Sequence, residues 1–467
     1  MRRARGIYCN RTLNLRAIRA VGYDLDYTLV HYHTDAWEQR AYQHVRTGLA
    51  ARGMPVADLA FDAGLVAQGL ILDTERGNIV KADRFGYVKQ AAHGTTMLPW
   101  DTLRQTYART FVDLREPRWH FLNTLFAVSE STLYLQLVDR LDAGTLSGVM
   151  SYPELYELVK NAVGEAHTDG LLKAEIREDP DAFVDLDPEM PLALLDQKKS
   201  GKTVLLITNS GFQYGAAMLS HAMDPFLPDD LTWRDVFDLA FFAARKPDFF
   251  SVAMPVFEVV DDQGLLRPHV GPVERGGVYV GGNAALVEDS LGLEGEEILY
   301  VGDHVFADVN VTKNLLRWRT ALVLRSLESE MEAIEAFAPR QAEISRLMAE
   351  KTALETQRAA LRLARQRLRK KYGPQPKQHR AEIQGRMDAL RKRMEALDRE
   401  ISPLASAAGE LANKRWGPPL RAGNDKSHLA RQVERYADIY TSRVSNFLHH
   451  TPYLYLRASR GSLPHDP

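Results

Sequence analysis

Three apolar runs that each end in polar, small or acidic residues constrain the fold of this chain more than any other feature. They read AIRAVGYDLD (17–26), KTVLLITNS (202–210) and EILYVGDHVFAD (297–308), and a fourth, DVFDLAFFAARKPDFF (235–250), leads to Lys246. Such runs are typical of buried parallel strands. Because helical patterns separate them, they predict a doubly wound, Rossmann-like parallel sheet of the α/β class. Ligands bind beyond the carboxyl ends of the strands in such sheets, so we expect a site there.

The overall composition indicates a globular protein with neither a membrane nor a nucleic-acid partner. The chain has 467 residues, 45% hydrophobic and 26% charged, and its formal net charge is −2. This charge gives the whole molecule no electrostatic attraction to nucleic acid or to an anionic membrane. The single cysteine, Cys9, excludes an intramolecular disulfide and fits a reducing compartment. No stretch approaches a signal sequence or the roughly 20 apolar residues of a membrane span, so we expect a cytoplasmic protein.

A long insertion separates the first strand from the second. About 180 residues lie between Asp26 and Thr208, too many for a crossover, so 31–199 is predicted to form a cap for substrate selection. The catalytic core is then 1–30 together with 200–335. Within the cap, alternation over 69–90 predicts β-hairpins, whereas 116–141 and 152–167 have helical patterns.

A second appendage is predicted from about 338 to 401. Leucines recur every seven residues from Leu347 to Leu368, and after YGPQP apolar residues recur at four and three. This pattern predicts a helical hairpin that packs as an antiparallel coiled coil. Its basic run, RLARQRLRKK (362–371), could contact RNA, but a solvated coiled-coil face is the favoured interpretation. The remaining residues, 402–467, are predicted to form a helix and a tail that pack back on the core.

Two acids, Asp24 and Asp26, directly follow the first strand. Aspartate is a common turn former and helix N-cap, so the pair is also typical of a polar turn. The alternative is chemical: Asp24 could attack a phosphoryl group, and Asp26 could donate and accept a proton. Mg²⁺ would offset the repulsion between the two carboxylates, because it takes hard oxygen ligands and bridges carboxylates to phosphate.

The other strand ends supply groups that suit a phosphate. Thr208, Asn209 and Ser210 offer hydroxyls, an amide and backbone N–H groups at a predicted helix start, although all three residue types are also good N-caps. A lysine at 246 would offset charge on a transferring phosphoryl group, although an isolated lysine is usually solvated.

The last strand adds a second pair of acids. Asp303 could ligate the metal, and Asp308 could orient Lys246 or a metal-bound water. Turn or capping roles are the alternative for both.

The order of these elements resembles the four motifs of the haloacid-dehalogenase-like phosphohydrolases. More narrowly, the chain is similar to the cytosolic IMP/GMP-preferring purine 5′-nucleotidase family, over about residues 10–330 and again from 429. The segments that carry this resemblance are LNTLF, FDLAFFAARKPDFF, VYVGGN, ILYVGDHVFADV, WRTALVL and VERYADIY with PYLYLRA.

The resemblance implies a role for each catalytic residue. Asp24 would be the nucleophile that forms an aspartyl-phosphate, Asp26 the acid/base, and Lys246 the stabilising cation. Mg²⁺ would bind Asp24, the backbone carbonyl of Asp26 and Asp303, with Asp308 behind them. Thr208, Asn209 and the cap residue Lys173 would hold the phosphate, and the strand-end pattern adds Ser210 to this predicted phosphate site.

The resemblance also implies a purine site in the cap, formed by Asn123, Phe126 and His167. Core packing is the alternative for Phe126, and a satisfied helix-end histidine the alternative for His167. The family's IMP/GMP-preferring members carry Arg, Asp and Tyr where this chain has Lys160, Gly164 and Thr168. Loss of hydrogen-bonding groups at these positions would relax discrimination between bases.

Three functions are therefore considered. The first is an Mg²⁺-dependent 5′-nucleotidase acting on purine nucleoside monophosphates, with a phosphotransferase side activity and a homo-oligomeric (dimeric or tetrameric) assembly. The second is a phosphatase of the same fold for another small phosphomonoester. The third is a non-catalytic scaffold that recruits a partner through the coiled coil.

Overall fold

The computed structural model describes residues 3–149, 151–168, 170–459 and 461. The chain divides into two compact units. One runs to Glu328 and resumes at Pro419, and the other is Ser329–Pro418.

A ten-stranded sheet forms the centre of the first unit. Its strands, labelled in chain order, are β1 (Ile7–Cys9), β2 (Ala20–Tyr23), β3 (Thr203–Ile207), β4 (Leu239–Phe242), β5 (Val256–Val259), β6 (Leu266–His269), β7 (Gly277–Gly281), β8 (Ile298–Gly302), β9 (Arg319–Val323) and β10 (Ile439–Thr441). Their spatial order is β1-β10-β9-β8-β2-β3-β4-β7-β5-β6. The seven strands from β10 to β7 are parallel, and antiparallel strands flank them on both edges. The predicted α/β class is confirmed.

The central strands are apolar throughout because both faces of the sheet are covered. Every residue of β2, β3, β4 and β8 is buried. In β3, Val204 and Leu206 belong to one apolar layer, with Met218 of a neighbouring helix. Leu205 and Ile207 belong to the other layer, with Val287. This alternation is the two-residue period of a strand.

The register of these strands brings their carboxyl ends to one level. Tyr23, the last residue of β2, pairs with Leu206 of β3 and with Val301 of β8. On the far side of β3, Ile207 pairs with Phe241 of β4. The residues that follow β2, β3, β4 and β8 therefore meet at one edge of the sheet.

Helices cover the sheet and build the inserted segment. In the first unit they are Thr34–Ala51, Trp100–Tyr107, Val128–Asp142, Tyr152–Thr168, Leu171–Glu178, Met190–Lys199, Phe212–Met223, Trp233–Val236, Ala284–Leu291 and His428–Tyr436. Two π-helical segments, Val305–Asn310 and Thr312–Leu316, follow β8. None of the helices in the described part of the chain combines the length and the apolar character required to cross a membrane.

The inserted segment contains its own five-stranded antiparallel sheet. In spatial order, its strands are Thr96–Met97, Val88–His93, Asn78–Ala82, Ile71–Asp73 and Trp119–Phe121. The β-structure expected in 69–90 is present. The helix expected from 116 is wrong in its first part, because Trp119–Phe121 pairs as a strand with Ile71–Asp73, and helix Val128–Asp142 begins only afterwards.

Short strand pairs complete the first unit. His31–Tyr32 pairs with Val184–Asp185, where the chain enters and leaves the inserted segment. Leu13–Asn14 pairs with Tyr455–Leu456, and Arg421–Ala422 pairs with Asp425–Lys426. The C-terminal segment also contributes β10 to the central sheet.

The second unit consists largely of two long helices that form a hairpin. They are Leu327–Lys370, which begins at the end of the first unit, and Arg380–Gly409. Leu347 packs with Leu397 and Ile401, whereas Leu361 packs with Ile383 and Met387. Residues early in one helix thus meet residues late in the other, as in an antiparallel pair. Both helices extend beyond the predicted limits of 338 and 401.

Candidate active site

The strand ends enclose a cavity of about 320 Å³. Nine of the twelve predicted site residues line it, and they are Asp24, Asp26, Phe126, Lys173, Asn209, Ser210, Lys246, Asp303 and Asp308. Groups up to 284 positions apart in the sequence therefore face one space, as the difference between 24 and 308 shows.

Lys246 connects the acids of two strand ends. Its Nζ lies 2.7 Å from Asp24 Oδ1 and 2.7 Å from Asp308 Oδ1, and it donates to the Tyr300 hydroxyl at 3.1 Å. Asn209 holds the lysine backbone on both sides, because its Oδ1 accepts from Lys246 N and its Nδ2 donates to Lys246 O. The lysine is only 8% exposed, so its charge acts in a poorly hydrated environment where electrostatic interactions are strong.

Burial and neighbouring charge control ionisation at this centre. Removal from water raises the pKa of Asp24 to about 7; Lys246 opposes this shift, whereas Asp308 and Asp26 add to it. Burial also raises the pKa of Asp303 well above its usual value, with further contributions from Asp308 and Asp24. For Lys246, burial acts to lower the pKa, but Asp24 and Asp308 outweigh it and hold the pKa well above the ordinary lysine value.

The carboxylates are suited to hold a divalent cation. Asp24, Asp303 and Asp308 are buried, and each offers an oxygen within 4.8 Å of those of the other two. One lysine cannot neutralise three close carboxylates. The Thr124 hydroxyl lies 3.5 Å from Asp303 Oδ2, which is a weak contact. Hard oxygen ligands with excess negative charge are the donor set that Mg²⁺ prefers, so the residues fit the predicted metal.

Asp26 lies in a separate hydrogen-bond network. Its Oδ1 accepts from the Tyr32 hydroxyl at 2.5 Å, and its Oδ2 accepts from Ser210 Oγ at 2.6 Å. The Tyr32 and Tyr214 hydroxyls are 2.9 Å apart. Lys173 donates to Ser210 Oγ at 3.1 Å, and its Nζ lies 4.7 Å from the centre of the Tyr214 ring. The network thus joins the acid to a cation of the inserted segment.

Among the described residues of the predicted set, Thr208 and Asn123 do not line this cavity. Thr208 is fully buried, and its Oγ1 accepts from Ser210 N at 3.0 Å, so its hydroxyl builds the turn. Asn123 lines a second cavity of about 1040 Å³ beside Phe306, Gln432 and other residues. The side chain of His167 lies outside the described residues.

Aromatic side chains form the apolar wall of the first cavity. The ring of Phe126 lies 4.6 Å from that of Tyr27 and 5.3 Å from that of Trp37, centre to centre. Trp37 lines the cavity, as does Leu172 next to Lys173. A flat apolar ligand group would fit between such surfaces.

Sequence reasoning missed Trp37, Tyr32, Tyr214 and Tyr300. Tyr32 follows the DLD segment closely, and this proximity is the one signal that could have suggested it. Tyr214 occurs in a helix and Tyr300 in an apolar strand, where both are typical of core packing.

Comparison with known proteins agrees with this geometry. The model of the 5′-nucleotidase family matches residues 7–467. The chain belongs to that family. The predicted family and the predicted class of enzyme, a phosphomonoester hydrolase, are thereby confirmed.

One similar relative is a 5′-nucleotidase domain-containing protein of Dictyostelium discoideum. It is 25% identical over 477 aligned residues, which cover 98% of this chain and 74% of the relative. Among solved structures, an archaeal beta-phosphoglucomutase from Pyrococcus sp. strain ST 04 is similar with a TM-score of 0.30 and 10% identity. That match covers 66% of this chain and 86% of the other.

Proposed function

We propose that this family member is an Mg²⁺-dependent hydrolase of purine nucleoside 5′-monophosphates, with a preference for 6-oxopurines such as IMP and GMP. The observation that carries the proposal is the contact of Lys246 with both Asp24 and Asp308, beside Asp303, at the end of a cavity. A nucleophile, a cation and a metal-binding acid are thus within reach of one phosphate. The same cavity is lined by Lys173, which would bind the phosphate, and by Phe126, which would contact the base.

The proposed reaction has two displacements. An oxygen of the Asp24 carboxylate attacks phosphorus, the bond from phosphorus to the 5′ oxygen breaks, and Asp26 gives a proton to the departing oxygen. A water molecule then attacks the aspartyl-phosphate, the bond from phosphorus to Asp24 breaks, and Asp26 takes the proton of the water. The products are nucleoside and inorganic phosphate, and the protein returns to its first state.

Positioned charge supports both displacements. Lys246 and Lys173 would stabilise the phosphoryl oxygens, while Ser210 and Tyr32 orient the carboxylate of Asp26 through the hydrogen bonds described above. Mg²⁺ would be held by Asp24, the backbone carbonyl of Asp26 and Asp303. Asp308 would orient Lys246, which it contacts, or a metal-bound water. The ion supplies charge neutralisation that lets a carboxylate approach an anionic phosphate.

Further expectations remain part of the proposal. Transfer of the phosphoryl group to a nucleoside in place of water would give the phosphotransferase side activity. Phe126 and Trp37 would stack on the base, whereas the location of Asn123 on the second cavity gives no support to its contact with the base. A cytoplasmic location, a homo-oligomeric assembly, and the cap and core limits of 31–199 and 200–335 are proposals as well.

A substrate panel tests this function. We expect phosphate release from IMP and GMP, with Mg²⁺, to exceed release from CMP, UMP and sugar phosphates. Asp24→Asn should lower turnover on the order of 10³-fold or more, since the amide cannot act as the nucleophile. The exposed control Asp101→Asn should leave turnover unchanged. A flat response across the panel, or an active Asp24→Asn protein of wild-type fold, would contradict the proposal.

A further inference from the structure

The charge of this protein is unevenly distributed along the chain. Residues 358–386, which we call the basic tip, comprise the end of the first hairpin helix, the loop and the start of the second helix. The basic tip contains ten Lys and Arg against Glu382 alone, a formal charge of +9. Because the whole chain carries −2, everything outside the basic tip sums to −11. The small net charge of the whole chain therefore gives no indication of this strongly cationic segment.

The rest of the hairpin, residues 329–357 and 387–418, is called the stem, and several of its cations form ion pairs. Arg346 lies 2.7 Å from Glu343, Lys351 lies 2.5 Å from Asp398, and Arg393 Nη2 lies 2.6 Å from Glu350. In the described hairpin, no Lys or Arg of the basic tip has a carboxylate oxygen within 4.0 Å. The same two helices thus form ion pairs in the stem and leave the cations of the basic tip without a carboxylate partner in the described chain.

Four arginines of the basic tip lie along one side of the first helix. Arg358, Arg362, Arg365 and Arg369 follow one another at intervals of four, three and four residues, so they share a helix face over about 16 Å of axis. They flank the apolar seam that contains Leu361. From the second helix, the neutral side chain of Gln384 accepts a hydrogen bond from the Arg365 guanidinium. No carboxylate of the described hairpin pairs with this arginine.

This arrangement costs stability unless an anion binds. Like charges four residues apart destabilise a helix, and positions beside a coiled-coil seam ordinarily carry opposite charges that form interhelical ion pairs. In the stem, Lys351 and Arg393 form such interhelical pairs. A row of arginines with a spacing of about 5 Å along the helix instead suits a row of phosphates, which guanidinium groups bind with two parallel hydrogen bonds.

We propose that the basic tip binds a single strand of nucleic acid through its sugar–phosphate backbone, without reading its sequence. Tyr372, 44% exposed in the loop, offers a surface on which a base can stack. A membrane is disfavoured, because an interfacial helix needs an apolar face beside its basic one, and the apolar face of this hairpin forms the seam. The expectation of no nucleic-acid partner relied on total charge, which does not describe this segment.

Anisotropy measurements on the full-length protein test the proposal. The probes are an unstructured RNA and a DNA of the same sequence, about 20 nucleotides long, with a 3′ label and a 5′-hydroxyl so that neither resembles a nucleotidase substrate. We expect binding at about 50 mM salt that weakens steeply by about 200 mM. Equal affinity for both strands would indicate phosphate contacts alone, and tighter binding of RNA would add contacts to the 2′-hydroxyl; both outcomes support the proposal.

Matched variants locate the binding surface. Replacing Arg358, Arg362, Arg365 and Arg369 with Gln should weaken binding at least tenfold at about 50 mM salt and lower the salt slope by about 3, since each phosphate contact on a single strand contributes about 0.7. The control replaces the same number of ion-paired stem cations, Arg346, Lys351, Arg391 and Arg393, with Gln. It should bind within about twofold of wild type if charge in the tip is what matters.

Circular dichroism and phosphate release from IMP should be unchanged in both variants. Three results would overturn the proposal: no binding of either strand by the wild-type protein at about 50 mM salt, equal losses in the tip and stem variants, or tip-dependent binding to phosphatidylserine vesicles or an acidic peptide but to neither strand.

Discussion

The candidate active site and the basic tip both collect like charge, but they do so in opposite ways. The site buries Asp24, Asp303 and Asp308 around one lysine. The basic tip contains ten Lys and Arg side chains, all at least partly exposed, and a single acidic residue, Glu382. In neither place do the protein's own groups neutralise the excess. The comparison teaches that uncompensated charge points to a ligand of opposite sign: a compact cation where carboxylates converge, and an extended anion where arginines form a row.

The stem of the hairpin shows what a region without such a ligand does. Arg346 pairs with a carboxylate on its own helix, and Lys351 and Arg393 pair with carboxylates on the other helix. Each such exposed pair contributes modestly to stability. If the charge imbalance in the active site and in the basic tip is functional, substitutions there should change activity, ligand binding or the response to salt and metal.

After loss of the nucleophile Asp24, the next largest effect on turnover should follow loss of the shared cation in the site. Lys246→Met should lower turnover on the order of a hundredfold or more, because charge on the phosphoryl group is then less stabilised. It should also increase the gain in thermal stability from added Mg²⁺, since the carboxylates become more strongly uncompensated. Steady-state kinetics and unfolding with and without Mg²⁺ measure both effects.

Lys202→Met is a matched control, because Lys202 is also buried and bonds the carbonyls of Leu15 and Ile18 outside the cavity. It should lower stability without changing the gain from Mg²⁺. An equal gain in thermal stability from Mg²⁺ in the wild-type and Lys246→Met proteins would show that the charge of Lys246 does not offset the carboxylates.

The ionisation of Glu38, a buried acid that in the described chain has no lysine beside it like that of the active-site carboxylates, should make the free energy of unfolding depend on pH. Glu38 is fully buried, accepts from Ser129 N at 2.7 Å, and has its pKa raised to about 7 by burial. Its contribution to stability is present below the unfolded pKa of about 4.5 and is lost as pH rises through 7. Relative to Glu38→Gln, the wild-type protein should therefore lose up to about 3 kcal/mol of unfolding free energy between pH 5 and pH 8.

Denaturant unfolding at the two pH values measures this difference. Gln retains an oxygen for the Ser129 N–H group, so the comparison isolates the charge. Parallel pH profiles for the two proteins would show that Glu38 does not ionise as proposed.

Removal of one neutral hydrogen bond should have a smaller effect. Tyr32→Phe deletes the hydroxyl that donates to Asp26 Oδ1, and we expect kcat to fall about tenfold with little change in KM, because the hydroxyl orients the acid. Tyr214→Phe should have a weaker effect, since the Tyr214 hydroxyl contacts the Tyr32 hydroxyl, which in turn donates to Asp26. A larger loss in Tyr214→Phe would contradict this order.

The smallest effect concerns the hairpin itself. At low salt, the four Arg→Gln substitutions in the tip should strengthen amide protection there by up to about 1 kcal/mol, because they remove repulsion along one face. The stem quartet should weaken protection, and salt should reduce both differences. Hydrogen exchange measures them, and weaker protection in the tip variant would indicate that the arginines stabilise the hairpin.

The strand ends and most of the site could be predicted from the sequence for a physical reason. Parallel strands share one carboxyl edge, so Asp24, Lys246 and Asp303 could be placed together without any knowledge of the cap. The tyrosines could not, because Tyr32 and Tyr214 meet only through packing across 182 positions. Periodicity also failed where pairing with Ile71–Asp73 imposed a strand on Trp119–Phe121.

The role of Asp24 as nucleophile can be tested by locating the phosphoryl group during turnover. Protein quenched in acid while it hydrolyses IMP is digested, and its peptides are mapped by mass spectrometry. We expect one phosphoryl group on the peptide that contains Asp24, and none in Asp24→Asn. Steady turnover with the phosphoryl group on another residue, or on none, would contradict that role.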